Sequence, residues 1–179
     1  MKGAVFSGFA EFIEQEYGLA VWQETIEQSQ LESNGEYLAT ELYEDDEFNQ
    51  LMSTLERITG QNNPEIQRKF GVFFFPTLFS LVQQQVKHID NLFDFLRAVD
   101  EVIHVEVKKA DPMAYTPTLL YDQPQPTTLV IRYVSRRKMC FFAEGLILGA
   151  AKHFNQTVAI SQTECVCQGD EHCLIRVTS

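Results

Sequence analysis

Positive charge is scarce in the first part of this 179-residue chain: residues 1–103 hold 6 lysines and arginines against 18 aspartates and glutamates. A field of that sign repels phosphate, so neither nucleic acid nor an anionic lipid surface is an expected partner. Long apolar runs are missing too. None reaches the roughly 18 to 20 residues that cross a bilayer. The opening Met1-Lys2-Gly3 leads into an amphipathic stretch rather than a signal peptide. A soluble, cytoplasmic protein with no membrane partner is expected. Cysteine is absent before residue 140; Cys140, Cys165, Cys167 and Cys173 then follow within the last 40 residues. With no secretion signal, clustered thiols point to metal or redox chemistry rather than structural disulfides. The chain also lacks a phosphate loop, a nucleophile elbow and a His-Glu-x-x-His motif. Glu144 and the Asp45-Asp46-Glu47 cluster come without a matched acid or base, so an enzyme is not expected.

Phenylalanine, by contrast, is abundant: 14 residues in a chain that is 45% hydrophobic. That supplies a sizeable core and rigid apolar surface of the kind that lines a cofactor pocket. Phe6, Phe9, Phe12 and Ile13 recur at helical spacing, with Gly18 as a stop. Asp45 to Glu47 open a second helix carrying Phe48, Leu51, Met52 and Leu55. Asn63-Pro64 opens a third, with Ile66, Phe70 and Phe73, and Asp90-Asn91 caps a fourth that runs through Leu92 to Val102. The period then changes. Val105 and Val107 read as the start of a strand, followed by strands at Thr118–Tyr121 and Thr127–Ser135. An apolar helix spans Met139–Phe154. Thr157–Ser161 and Leu174–Thr178 close the sheet, with Gln168-Gly169-Asp170 as a turn. This predicts one α+β domain over residues 1–179. A helical lobe, about 1–65, would pack on a lobe of about 66–179 with a roughly four-stranded antiparallel sheet and helices.

Three constellations carry chemistry. Tyr133, Ser135 and Arg137 recur at period two, so an extended strand would place a phenol, a hydroxyl and a guanidinium on one face. All donate hydrogen bonds, and Arg grips carboxylates bidentately, which suits an anionic carboxylate ligand. Alone, such a triplet is also what a solvated strand face looks like. His104 lies where helical and strand periods meet; it is either a hydrogen-bonded core histidine or a metal ligand. The four cysteines could close a tetrahedral zinc site or remain free buried thiols.

The order of these residues, from Met1-Lys2-Gly3 through Asp100-Glu101-Val102-Ile103-His104 and the Tyr-x-Ser-x-Arg triplet to Glu144-Gly145-Leu146, resembles the H-NOX family of haem-nitric oxide/oxygen binding domains along essentially the whole chain. The resemblance implies haem b between two lobes. His104 would be its axial iron ligand, Tyr133, Ser135 and Arg137 its propionate clamp, and Pro117 a haem contact. It puts Phe9, Phe74 and Phe142, with Val5, in the distal pocket, where relatives that bind dioxygen carry hydrogen-bond donors. A pocket without donors implies nitric oxide as ligand, CO more weakly and no stable dioxygen complex. The resemblance also implies signalling by release of the proximal histidine to a separate sensor histidine kinase or cyclic-di-GMP enzyme. A subgroup carries zinc on three cysteines and a histidine. Cys140, Cys165 and Cys173 match those cysteines, while Gln162 stands where the histidine would be, leaving Cys167, or His172 in reserve, as fourth ligand. The alternative is a zinc/cysteine thiol redox sensor in which haem is secondary.

Overall fold

The computed structural model describes residues 1–179, Ala110 by its backbone alone. Helix α1 (Gly3–Tyr17) buries Phe6, Phe9, Phe12 and Ile13, the stripe that its sequence marks out. Gly18, at φ 97°, ends α1 and begins α2 (Leu19–Gln28), a helix whose start carries no side-chain cap. That missing cap explains why the sequence did not announce it. Helix α3 (Asp45–Thr59) has its three carboxylates in the first turn, where the exposed N–H groups favour negative charge. Asn62 then caps α4 (Asn63–Val86) through a 3.0 Å bond from Glu65 N–H to its side chain, with Pro64 in the first turn. Asn91 caps α5 (Leu92–Ala98) in the same way.

The chain does not turn into a strand after His104. A π-helical turn, Val99–Ile103, leads into α6 (His104–Ala110), so Val105 and Val107 are helical. Two β-branched residues in alternation are too short a signal to separate the two periods. The sheet comprises β1 (Thr118–Gln125), β2 (Thr128–Val134), β3 (Ala159–Glu164) and β4 (Cys173–Thr178), with α7 (Cys140–His153) between β2 and β3. The strands run antiparallel in the order β1-β2-β4-β3. A 3-10 turn, Val166–Gln168, and Gly169 at φ 105° join β3 to β4 near the expected hairpin.

The helical N-terminal lobe and the sheet lobe each have a core, and α4 serves both. Ile66, Phe70 and Phe74 pack with α1 and α3, whereas Phe75 and Val86 pack with α5, α7 and the sheet. Helices α4 and α7 cross at backbone contact. A Cβ on Gly145 would stand 2.2 Å from Arg68 O and 2.8 Å from Gly71 Cα, so neither crossing position has room for a side chain.

Candidate functional site

His104 opens α6, directly after the π-helical turn, a local widening that recurs at functional sites. Asp100 lies four residues earlier, on the same helical face, and its Oδ1 is 3.0 Å from His104 Nδ1. The imidazole is 14% exposed. Burial pushes it below its usual pKa against the pull of Asp100, so the ring is neutral near pH 7. With Nδ1 held by the carboxylate, Nε2 keeps its lone pair for a metal.

That histidine stands in the wall of a cavity of about 290 Å³ between α4, the α5–α6 region, the sheet and α7. The wall is almost wholly apolar, with Phe75, Phe79, Val99, Leu146 and Ile147 among its members. Pro117 and Tyr133 also line it. Besides His104, its polar side chains are Tyr121 and Tyr133. The Tyr121 hydroxyl donates to Leu96 O at 2.6 Å. Burial pushes both phenols up in pKa, so both are protonated donors.

The triplet is only partly a strand. β2 ends at Val134, and Ser135 to Lys138 form a turn closed by Lys138 N–H to Ser135 O, with Lys138 at φ 54°. Period two therefore governs Tyr133 but not Arg137. Ser135 is buried and accepts from Arg137 N–H at 3.2 Å. Arg137 Nε lies 2.9 Å from both carboxylate oxygens of Asp45, and one terminal nitrogen donates to Tyr115 O at 3.0 Å. Asp45 also pairs with the N-terminal amine at 3.0 Å. Arg136 lies over the Tyr115 ring. The acidic cluster is accordingly dispersed: Asp45 holds Arg137, and Glu47 accepts from Ser33 and Tyr37. Glu144, 4% exposed, pairs with Arg68 and accepts from Gln162 Nε2 at 2.7 Å. Thr116 Oγ1, beside Pro117, is buried with no hydrogen-bond partner.

The four residues expected in the distal pocket pack within the N-terminal core. Phe9, Phe74 and Phe142 converge on Phe70, at ring-centroid distances of 5.0, 5.3 and 5.0 Å, and Val5 packs against the same N-terminal core; none lines the cavity. Phe75, one residue on, does. In the run Phe73-Phe74-Phe75 each step turns about 100° around α4, and sequence alone does not say which ring faces inward.

The residues present fit a haem: an apolar cavity against α4, α7 and the sheet, one neutral imidazole with a free nitrogen, and the Tyr133 phenol as a donor in the wall. Residues 2–162 match the family described as Haem-NO-binding. The chain belongs to the H-NOX family. It is 28% identical to an Fe(II) unliganded H-NOX protein mutant, A71G, from K. algicida, covering 99% of this chain and 96% of that one at a TM-score of 0.92. It is likewise 28% identical to an H-NOX protein from S. oneidensis in the Fe(II)NO state, covering 99% and 98% at a TM-score of 0.90. It is 21% identical to soluble guanylate cyclase gcy-35 of Caenorhabditis elegans, over 92% of this chain but 24% of that protein's length. The two-lobed H-NOX fold is thus established for the chain, as is its class, a haem-based gas-sensing domain. Among the described residues, no helix is long and apolar enough to cross a membrane.

The H-NOX sheet lobe holds the cysteine cluster. The sulfurs of Cys140, Cys165 and Cys173, all buried, lie within 4.8 Å of one another. Cys140 Sγ is 3.6 Å from Cys165 Sγ and 3.9 Å from that of the exposed Cys167. A tetrahedral zinc with bonds of about 2.3 Å needs sulfur–sulfur edges of roughly 3.8 Å, so the donor set fits. Burial and the neighbouring thiols push Cys140 far up in pKa, a cost that a bound dication would reverse. His172 does not join the group; its Nε2 is 3.0 Å from Glu164 Oε2. Gln162 turns to Glu144 instead.

Proposed function

We propose that the domain senses nitric oxide through haem b held by His104 and reports to a separate signalling effector, without catalysis of its own. The observation that carries this reading is the Asp100–His104 pair in the wall of an otherwise apolar cavity. Haem, when bound, would supply a ferrous iron able to bind the His104 imidazole and a gas such as nitric oxide. The protein's part is positional. Asp100 keeps a proton on His104 Nδ1 and aims Nε2 into the cavity. Tyr133, Ser135 and Arg137 lie at one end of β2 as donors for the propionates, with Arg137 preset by Asp45. Pro117 adds a stiff contact in the cavity wall.

The preference for nitric oxide over dioxygen rests on the wall. A dioxygen ligand would gain from a hydrogen bond worth roughly 1.5–3 kcal/mol; the Tyr121 donor is already spent on Leu96 O, and the Tyr133 donor is assigned to the propionates. Phe75, Phe79, Leu146 and Ile147 offer none, and neither do Val5, Phe9, Phe74 and Phe142, the residues proposed for the distal pocket. CO, which needs no donor, would bind too, more weakly than nitric oxide. His104 opens α6 directly after the π-helical turn, so a change at its Nε2 would be passed to both, and a sensor histidine kinase or cyclic-di-GMP enzyme would read their shift against the sheet. Cys140, Cys165, Cys167 and Cys173 would hold a structural zinc ion at the junction of α7 and the β3–β4 connection.

His104→Gly tests the reading. The variant should purify without haem and regain it when imidazole is supplied. Full haem occupancy with an unchanged ferrous spectrum would remove His104 from this role.

A further inference from the structure

Arg137 is held by more than its ion pair. Tyr115, in the loop that leads to β1, touches both arginines of the turn after β2. Its ring centroid lies 4.8 Å from the Arg137 guanidinium carbon and 4.4 Å from that of Arg136. Its carbonyl accepts from Arg137 at 3.0 Å, and its hydroxyl accepts from Arg136 N–H at 2.9 Å. The ring, the carbonyl and the hydroxyl of one residue are thus all spent on two neighbouring arginines. The loop itself is fixed at both ends. Asp111 pairs with Lys2 and accepts from Met113 N–H, while Pro117, two residues after Tyr115, lines the cavity.

A guanidinium has five N–H donors in one plane. Asp45 takes the Nε side and Tyr115 O takes one terminal nitrogen. The Tyr115 ring attracts the cation and opposes its rotation about the last side-chain bonds, so the unspent donors keep one direction. We propose that Tyr115 is a positioning residue for the carboxylate clamp, a stacking support that presets Arg137 for the haem propionates. The proposal rests on the haem reading above. It assigns Tyr115 no contact with haem; the residue acts through Arg137. Its reach is a lower ordering cost when the carboxylate binds, because a preset donor loses less freedom than a free side chain.

The experiment measures haem dissociation from the reconstituted holoprotein by transfer to excess apomyoglobin. It also records the propionate bending modes by resonance Raman. The variants are Tyr115→Phe, which keeps the ring, Tyr115→Leu, which keeps bulk without a π face, Arg137→Ala, and the double variant Tyr115→Leu/Arg137→Ala. Tyr115→Leu should lose haem roughly threefold to thirtyfold faster than wild type with shifted propionate modes. Tyr115→Phe should stay within about twofold of wild type. In the Arg137→Ala background the Tyr115→Leu change should add nothing, since the residue it supports is gone. Tyr115→Leu that behaves as wild type while Arg137→Ala loses haem quickly overturns the proposal and leaves the clamp standing. So does an equal acceleration in both backgrounds, which marks Tyr115 as loop packing only. Arg137→Ala that retains haem like wild type overturns the clamp itself, and the proposal with it.

Discussion

On the proposed reading a single imidazole, His104, carries the chemistry of this domain, and a carboxylate four residues earlier tunes it. The i, i+4 spacing of Asp100 and His104 was visible in the sequence; that the two groups touch, at 3.0 Å, follows from the helical path through both. Asp100→Asn keeps a hydrogen-bonding side chain but removes the charge that makes the ring a stronger ligand. Haem should leave that variant about 10-fold faster in transfer to a globin acceptor, in line with losses at other metal-supporting partners. A rate equal to wild type would mean that the pair only packs. Arg137 shows where residue-level reading fails. Its face was inferred from strand alternation, yet the strand stops at Val134, and a turn with Asp45 and Tyr115 as partners sets its direction. Asp45 is 92 positions away in sequence, so no local pattern could have paired them.

At the scale of elements, the caps and the long amphipathic helices were legible because Asn62, Asn91 and the acidic turn of α3 act locally. The conversion of the expected strand at Val105 into α6 was not, because helix continuation through the π-helical turn is settled by packing at the cavity. Nor was the rotation of α4, which is apolar on most sides and buries Phe74 in one lobe and Phe75 in the other. The α4–α7 crossing has a clear test. Gly145→Ala drives a Cβ to 2.2 Å from Arg68 O, so the helices must separate. Overpacking of this kind costs about 1–3 kcal/mol, which for a domain of this size lowers Tm by roughly 2–12 °C. A Tm within a degree of wild type would show that the crossing yields freely. The cysteine cluster sits at another junction, between α7 and the β3–β4 connection. Elemental analysis should find about one zinc per chain, reduced in Cys167→Ala and unchanged in His172→Ala. The reverse pattern would give the fourth position to the histidine.

Across the whole molecule, two cores share one helix and are tied at the seam by the N-terminal amine, Asp45 and Arg137. Burial opposes ionisation of Asp45, but the bonds from Arg137 and the terminal amine outweigh it and hold the carboxyl below its ordinary value of 3.8. A carboxylate with a depressed folded-state pKa adds stability above the unfolded value and loses it as pH falls through the folded one. Asp45→Asn should therefore melt earlier than wild type at pH 7, and the gap should close below about pH 4 as wild type loses the same charge. A gap that persists unchanged at acid pH would mean that Asp45 acts by shape rather than charge. A domain with an apolar cavity and one imidazole in its wall is a gas sensor only if iron sits there and changes with the gas. The most direct measurement is the absorption spectrum of the ferrous protein, recorded without oxygen, then with nitric oxide, and separately in air. The account predicts a Soret band that shifts with nitric oxide, with no stable dioxygen spectrum in air. A protein that takes up no haem, or whose Soret band ignores nitric oxide, would contradict it.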